Sequence, residues 1–138
     1  MTAALVPTFP VITAAVATLL GLLAAFLAVQ VIRGRVRHGV NAGDGGRADL
    51  GQAIRAHANL VEHAPLALLM LALAESAGAW RGAILGLAIA LVVARVASAW
   101  GLSHSLGASG GRQAGAGLTI LVTVLTAVLL GYRLAAAG

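Results

Sequence analysis

The sequence predicts an all-α membrane protein, built as a bundle of four transmembrane helices. Of the 138 residues, 60% are hydrophobic and 9% are charged, whereas about a quarter of the residues in a soluble domain are charged. The mean hydropathy is +0.98. Four apolar stretches of about 20 residues or more are each long enough to cross a hydrocarbon core as a helix. We expect these helices near residues 11–32, 52–78, 82–102 and 114–135 of a single domain, 1–138.

The arginines are distributed unevenly between the predicted loops. The first loop, 33–51, and the third, 103–113, contain five of them: Arg33, Arg35, Arg37, Arg47 and Arg112. Short loops rich in Arg stay in the cytoplasm, so we expect both termini outside it. The composition is typical of a bacterial protein, which predicts an inner-membrane location. In a membrane protein the net charge of +5 mainly sets topology, and we predict no nucleic-acid partner.

The first loop contains a tight glycine-rich turn at residues 43–46. It formally begins a G-x-G-x-x-A motif, but it follows a membrane helix rather than a strand, which excludes a dinucleotide site. Asp49 is predicted to be the N-cap of the second helix, and Gln52 completes a capping box. The absence of Cys excludes a disulfide, a thiolate nucleophile and a Cys-based metal site, and we predict no metal.

A cluster of polar residues lies in the second predicted helix, in an otherwise apolar chain. At 100° per residue its members fall within an arc of about 100°. This polar stripe consists of Gln52, Arg55, Asn59, Glu62 and His63. Ionisable residues at membrane depth are costly and usually face a cavity, a bundle interior or one another. We therefore expect an ion pair from Glu62 to Arg95 of the third helix or to Arg55.

Polar side chains can also serve only to hold helices together, at about 0.6 kcal/mol per contact. The polar stripe contains more polar residues than this role requires, so we favour a ligand site. Other residues fit packing alone. These are the small-residue face of Gly82, Gly86 and Ala90, and the threonines Thr119, Thr123 and Thr126, which we expect to bond to their own backbone.

At these residues the chain resembles the MAPEG family, the membrane-associated proteins of eicosanoid and glutathione metabolism. The resemblance rests on the run Arg55-Ala56-His57-x-Asn59-x-x-Glu62 with Pro65 after it, and on Arg95 and Arg112, which match in kind and position. It implies a homotrimer of four-helix protomers, with glutathione as the cofactor bound in clefts between protomers near the cytoplasmic side.

The resemblance also implies roles for individual residues. Arg55, Asn59, Glu62 and Arg95 would line the glutathione cleft, and Arg112 would be the catalytic residue that stabilises the glutathione thiolate. The implied activity is that of a microsomal-type glutathione transferase or peroxidase, which conjugates or reduces lipophilic electrophiles. The implied partners are further copies of the chain, membrane lipids and a lipophilic small-molecule substrate.

Two departures from the family pattern motivate an alternative function. Active eukaryotic members carry a second arginine where this chain has Ala58, and often a tyrosine where it has Leu102. With fewer hydrogen-bond donors, the chain could instead be a non-catalytic member that binds lipid or acts as a scaffold. A small transporter is a weaker alternative, because the polar stripe ends before Pro65 and does not cross the bilayer.

Overall fold

The computed structural model describes residues 8–104 and 110–137. These residues form four helices: α1 (Val11–His38), α2 (Ala48–Ser76), α3 (Arg81–His104) and α4 (Gly110–Ala137). Each helix is long and apolar enough to cross a membrane, and the described part of the chain contains no strand. The prediction of an all-α architecture with four membrane-spanning helices is confirmed.

Helices α2 and α3 form the inner pair of the bundle, since each packs against all three other helices. Within the described ranges α1 and α4 flank this pair and do not contact each other. Alanine and leucine recur every three or four residues on the buried face of α2: Ala56, Leu60, Ala64, Ala67, Leu71 and Ala74. Small side chains on this face let the helices approach closely, which is how membrane helices gain packing energy without a hydrophobic driving force.

Helix α1 continues past its predicted end, so that Arg33, Arg35 and Arg37 lie in its last turns rather than in a loop. Basic residues at this end interact favourably with the negative end of the helix dipole. Gly39 ends the helix in the left-handed conformation, with φ of 64°. In the following turn the Gly46 N–H donates to the Asp44 carboxylate at 2.9 Å, as the glycine-rich sequence indicates.

The prediction that Asp49 caps α2 is wrong. The N-cap is Arg47, two residues earlier, and no side chain caps the helix. The Asp49 carboxylate instead meets His38 Nε2 at 2.8 Å and lies 4.0 Å from Arg37. It therefore joins the end of α1 to the start of α2. With Asp49 inside the first turn, Gln52 is no longer placed to complete a capping box.

At the opposite end of the bundle, Glu75 caps the first turn of α1. Its carboxylate accepts the backbone N–H groups of Ile12 at 2.9 Å and Thr13 at 2.8 Å. It also accepts the Thr13 hydroxyl at 2.7 Å. The first N–H groups of a helix have no partner within the helix, and a carboxylate there is also favoured by the helix dipole. One side chain of α2 thus fixes the start of α1.

The two predictions about helix packing, for the threonines of α4 and for the small-residue face of α3, have different outcomes. Each threonine of α4 donates to the backbone carbonyl four residues earlier, as expected, at distances of 2.7–2.9 Å for Thr119, Thr123 and Thr126. On the small-residue face of α3, Gly86 makes no close helix contact, since nothing lies within 4 Å of a Cβ built on it, whereas Ala90 is partly buried against the core. The close approach occurs instead at Gly115, where a built Cβ would lie 2.6 Å from the Ala94 carbonyl oxygen of α3.

Candidate functional site

The polar stripe of α2 faces outward from the protomer. Arg55, Glu62 and His63 are exposed, while Gln52 and Asn59 are half-buried. This orientation follows from the helical periodicity of apolar residues in α2, because the alanines and leucines of the opposite face fill the bundle core. The protomer therefore presents charged side chains on the outer surface of a membrane-spanning helix.

Glu62 and His63 form one wall of a groove between α2 and α4. The groove has a volume of about 210 Å³, and Thr119 and Thr123 contribute to its other wall. Both threonine hydroxyls already donate to their own helix, so their oxygens remain available as acceptors. The rest of the lining is apolar: Leu66, Ile120 and Val124. The groove thus offers a carboxylate and a few polar atoms beside an apolar surface.

The predicted ion pair of Glu62 with Arg95 or Arg55 is wrong for the protomer. Within the described ranges, the ion pairs involve Asp49 with Arg37 and His38, and none involves Glu62. The reason is rotational position: Glu62 points outward to the groove, whereas Arg95 is 1% exposed and points into the bundle. Similar depth in the membrane does not bring the two side chains together.

Arg95 joins three helices from the inside of the bundle. Its Nη1 donates to Asn59 of α2, to the side-chain oxygen at 3.2 Å and to the backbone carbonyl at 3.4 Å. Its Nη2 donates to the Ser98 hydroxyl at 3.2 Å and to the Gly115 carbonyl of α4 at 3.0 Å. The remaining donor, Nε, is buried with no hydrogen-bond partner. Arg95 therefore holds Asn59, a member of the polar stripe, from the inside of the bundle.

Gly115 makes the contact with Arg95 possible. A Cβ at this position would meet the Ser98 hydroxyl oxygen far closer than van der Waals contact allows. Without that Cβ, the Gly115 carbonyl receives both Arg95 and Thr119. No sequence pattern distinguishes Gly115 from Gly110 and Gly117 of the same helix, although a Cβ built on either of those two meets nothing within 4 Å.

The structure thus separates the predicted site residues into two groups. Arg55 and Glu62 lie on the outer face with Asn59 between them, while Arg95 lies behind Asn59 in the interior. The backbone of Arg112 belongs to the first turn of α4, and its side chain lies outside the described residues. Leu102, where active relatives often have tyrosine, is 1% exposed and belongs to the core.

Comparison with known proteins shows the family to which the chain belongs. A model of the MAPEG family matches residues 13–132, which reach from the first turn of α1 to the last turns of α4. Inner membrane protein YecN of Escherichia coli K12 is 37% identical over 78 residues, which cover 55% of this chain and 60% of YecN. YecN of Escherichia coli O6:H1, strain CFT073, gives the same values. The match thus spans about three fifths of the length of these curated relatives.

Proposed function

Because the chain belongs to the MAPEG family, we propose that it binds glutathione in clefts between the protomers of a homotrimer and conjugates or reduces lipophilic electrophiles. The observation that carries the proposal is the outward-facing polar stripe. Arg55 and Glu62 are exposed on the protomer, on a helix apolar enough to cross a membrane. Charges at membrane depth are costly unless another chain, a ligand or water covers them.

The stripe fits the chemistry of glutathione, which carries two carboxylates and one ammonium group. Arg55 can bind a carboxylate through two parallel N–H donors. Glu62, which has no ion-pair partner within the described ranges, can accept the ammonium group. The two residues stand about two helical turns apart, roughly 10 Å along α2, a separation that an extended tripeptide can span. The Asn59 amide lies between them.

We assign Arg95 to the same site as a positioning residue. Its guanidinium donates to the Asn59 side-chain oxygen at 3.2 Å, which leaves the Asn59 NH₂ group directed away from that bond and free to donate. Because the Asn59 oxygen is occupied, the amide presents a donor rather than an acceptor to a ligand. In this role Arg95 contributes to binding through Asn59.

Arg112 is the residue we propose as catalytic. When bound, glutathione supplies a thiol whose thiolate form is the nucleophile. A guanidinium near the sulfur favours the thiolate, and each tenfold gain in the thiolate-to-thiol ratio requires about 1.4 kcal/mol. The first turn of α4, to which Arg112 belongs, adds the positive end of a helix dipole. Arg112 would act as an electrostatic stabiliser and would not accept the thiol proton.

We also propose a bacterial inner membrane as the location, with the α1–α2 and α3–α4 connections in the cytoplasm. The support for the membrane is the name of the Escherichia coli relative, inner membrane protein YecN. The support for the orientation is the cluster of arginines in and after the last turns of α1. Glutathione, a cytosolic thiol in this account, would then reach the polar stripe from the cytoplasmic half of α2.

A non-catalytic lipid-binding or scaffold function is the second candidate. A wholly apolar groove of about 440 Å³ lies between α1 and α3, with Val16, Leu19, Leu85 and Ile89 among its walls. The replacements at Ala58 and Leu102 remove two polar groups that active relatives carry. This candidate predicts that lipid co-purifies with the protein in stoichiometric amount. It also predicts that glutathione does not bind and does not change the stability of the protein.

Equilibrium binding of glutathione to the protein in lipid nanodiscs tests the proposal. We expect binding that Glu62→Ala weakens at least tenfold, because the ammonium group loses its counter-charge. Asp49→Asn is the matched control, since it removes a carboxylate from the same helix outside the polar stripe and should leave the Kd within twofold. Arg112→Gln should preserve binding but reduce the ultraviolet absorbance of bound thiolate. Absence of binding at millimolar glutathione would refute the proposal and favour the lipid-binding function.

A further inference from the structure

A second cavity lies at the end of the bundle where α1 finishes and α2 begins. It has a volume of about 300 Å³ and is enclosed by α1, the first turns of α2 and the last turn of α3. Arg55, Asn59 and Glu62 do not line it, so it is separate from the glutathione site proposed above. Gln52 is the member of the polar stripe that reaches it.

The upper part of this cavity is cationic. Arg33 and Arg37 line it together with the Asp49 carboxylate, which His38 already engages. The two arginines lie one helical turn apart on the same face of α1. Within the described ranges Arg33 has no ion pair, and Arg37 has only a 4.0 Å contact with Asp49. His38 contacts the Asp49 carboxylate much more closely, at 2.8 Å. An exposed ion pair as long as that of Arg37 contributes little to stability. Two guanidinium groups therefore remain available to an anion.

The lower part of the cavity is apolar. Phe26 and Leu27 of α1, which lie nearer the middle of that helix, form its floor together with Ala53 of α2. Leu50 lies at the level of Gly34. A small hydrophilic anion would satisfy the arginines but leave this floor uncovered. A ligand with an anionic group at one end and a hydrocarbon part at the other matches both ends of the cavity. At the end of a membrane helix, that combination describes a phospholipid in its normal position.

We propose that this cavity binds an anionic phospholipid. The headgroup phosphate would contact Arg33 and Arg37, and the part of an acyl chain nearest the headgroup would pack against Phe26 and Leu27. Gln30 and Gln52, on the cavity wall, supply further donors to phosphate or glycerol oxygens. The bound lipid would cover the junction of α1 and α2 that Asp49 and His38 hold together. This proposal does not depend on glutathione binding.

Native mass spectrometry of the full chain, in detergent doped with phosphatidylglycerol or phosphatidylcholine, tests the proposal. We expect phosphatidylglycerol to bind at least fivefold more tightly, since each arginine near an anionic headgroup is worth about that factor. Arg33→Gln and Arg37→Gln should each weaken phosphatidylglycerol about fivefold. Arg47→Gln is the matched control, because it removes a cation from the same side of the bundle outside the cavity and should change the Kd less than twofold.

Two further measurements distinguish a specific lipid site from nonspecific attraction of anions to the arginines. Ala53→Leu keeps every charge but fills the apolar floor, and we expect it to weaken phosphatidylglycerol as much as an arginine substitution does. Inorganic phosphate at millimolar concentration should not displace the lipid. Equal weakening by Arg47→Gln, unchanged binding in Ala53→Leu, or displacement by phosphate would each overturn the proposal.

Discussion

Helix α2 carries two glutamates with opposite surroundings. Glu75, near the end of the helix, accepts three hydrogen bonds from α1 and fixes the start of that helix. Glu62, at the middle of the helix, is exposed and lines an open groove. A glutamate therefore stabilises the fold at position 75, whereas the glutamate at position 62 remains available to an external partner. In this protein, polar groups whose bonds are completed within the protomer are structural, and those on the uncovered face of α2 are candidates for function.

Arg95 gives the largest expected effect on the structural side of this comparison. Replacing it with Ala removes the contacts to Asn59, Ser98 and Gly115 and leaves a cavity among three helices. We expect a loss of about 3 kcal/mol in the free energy of unfolding, from both the cavity and the unpaired polar groups. Denaturant unfolding in mixed micelles measures it, with the exposed Arg33→Ala as a control that should stay within about 0.5 kcal/mol. Equal effects of the two substitutions would contradict the structural role of Arg95.

The two glutamates are compared directly by alanine substitution. Glu75→Ala leaves two backbone N–H groups and the Thr13 hydroxyl without their acceptor. We expect it to cost about 2 kcal/mol, as the loss of a strong helix cap does. Glu62→Ala should change the free energy of unfolding by less than about 0.5 kcal/mol, because it removes no bond within the described part of the protomer. The same unfolding measurement would reject the comparison if Glu62→Ala proved the more damaging.

Gly115→Ala gives the smallest expected effect and sharpens the account of Arg95. The added Cβ would meet the Ser98 hydroxyl and the Ala94 carbonyl oxygen, which forces α3 and α4 apart. Overpacking of this kind costs about 1–2 kcal/mol. Gly117→Ala, in the same helix with nothing within 4 Å of its built Cβ, should be neutral or stabilising, since Ala favours helix. Similar thermal stabilities of the two variants would show that the close approach at Gly115 does not limit packing.

Much of the fold could be predicted from the sequence, because a long apolar run has few solutions other than a membrane helix. That the polar residues of α2 share one face also followed from helical periodicity, whereas the outward direction of that face was not predicted. Other features depended on contacts between distant segments. The cap made by Glu75 has its partners at the other end of the sequence, near Thr13.

The candidate site could be predicted only in part, because helical spacing fixes which residues share a face but not which residues of another helix they meet. That Asn59 and Glu62 share a face follows from their spacing, but the partner of Arg95 depends on how far α3 is rotated about its own axis. Depth in the membrane suggested Glu62, whereas the rotation brings Arg95 to Asn59 and Gly115. The cap assigned to Asp49 was wrong by two residues, because the N-cap is Arg47, and the Asp49 carboxylate bonds to His38 instead.

The most direct test of the central claim measures glutathione binding and thermal stability together, in nanodiscs, for Glu62→Gln and Glu75→Gln. Each substitution removes one negative charge from α2 and leaves the size of the side chain unchanged. The account predicts that Glu62→Gln weakens glutathione at least tenfold and leaves the Tm unchanged, while Glu75→Gln lowers the Tm and leaves the Kd within twofold in the folded protein. If Glu62→Gln left the glutathione Kd unchanged, the outward-facing polar stripe would not be the glutathione site.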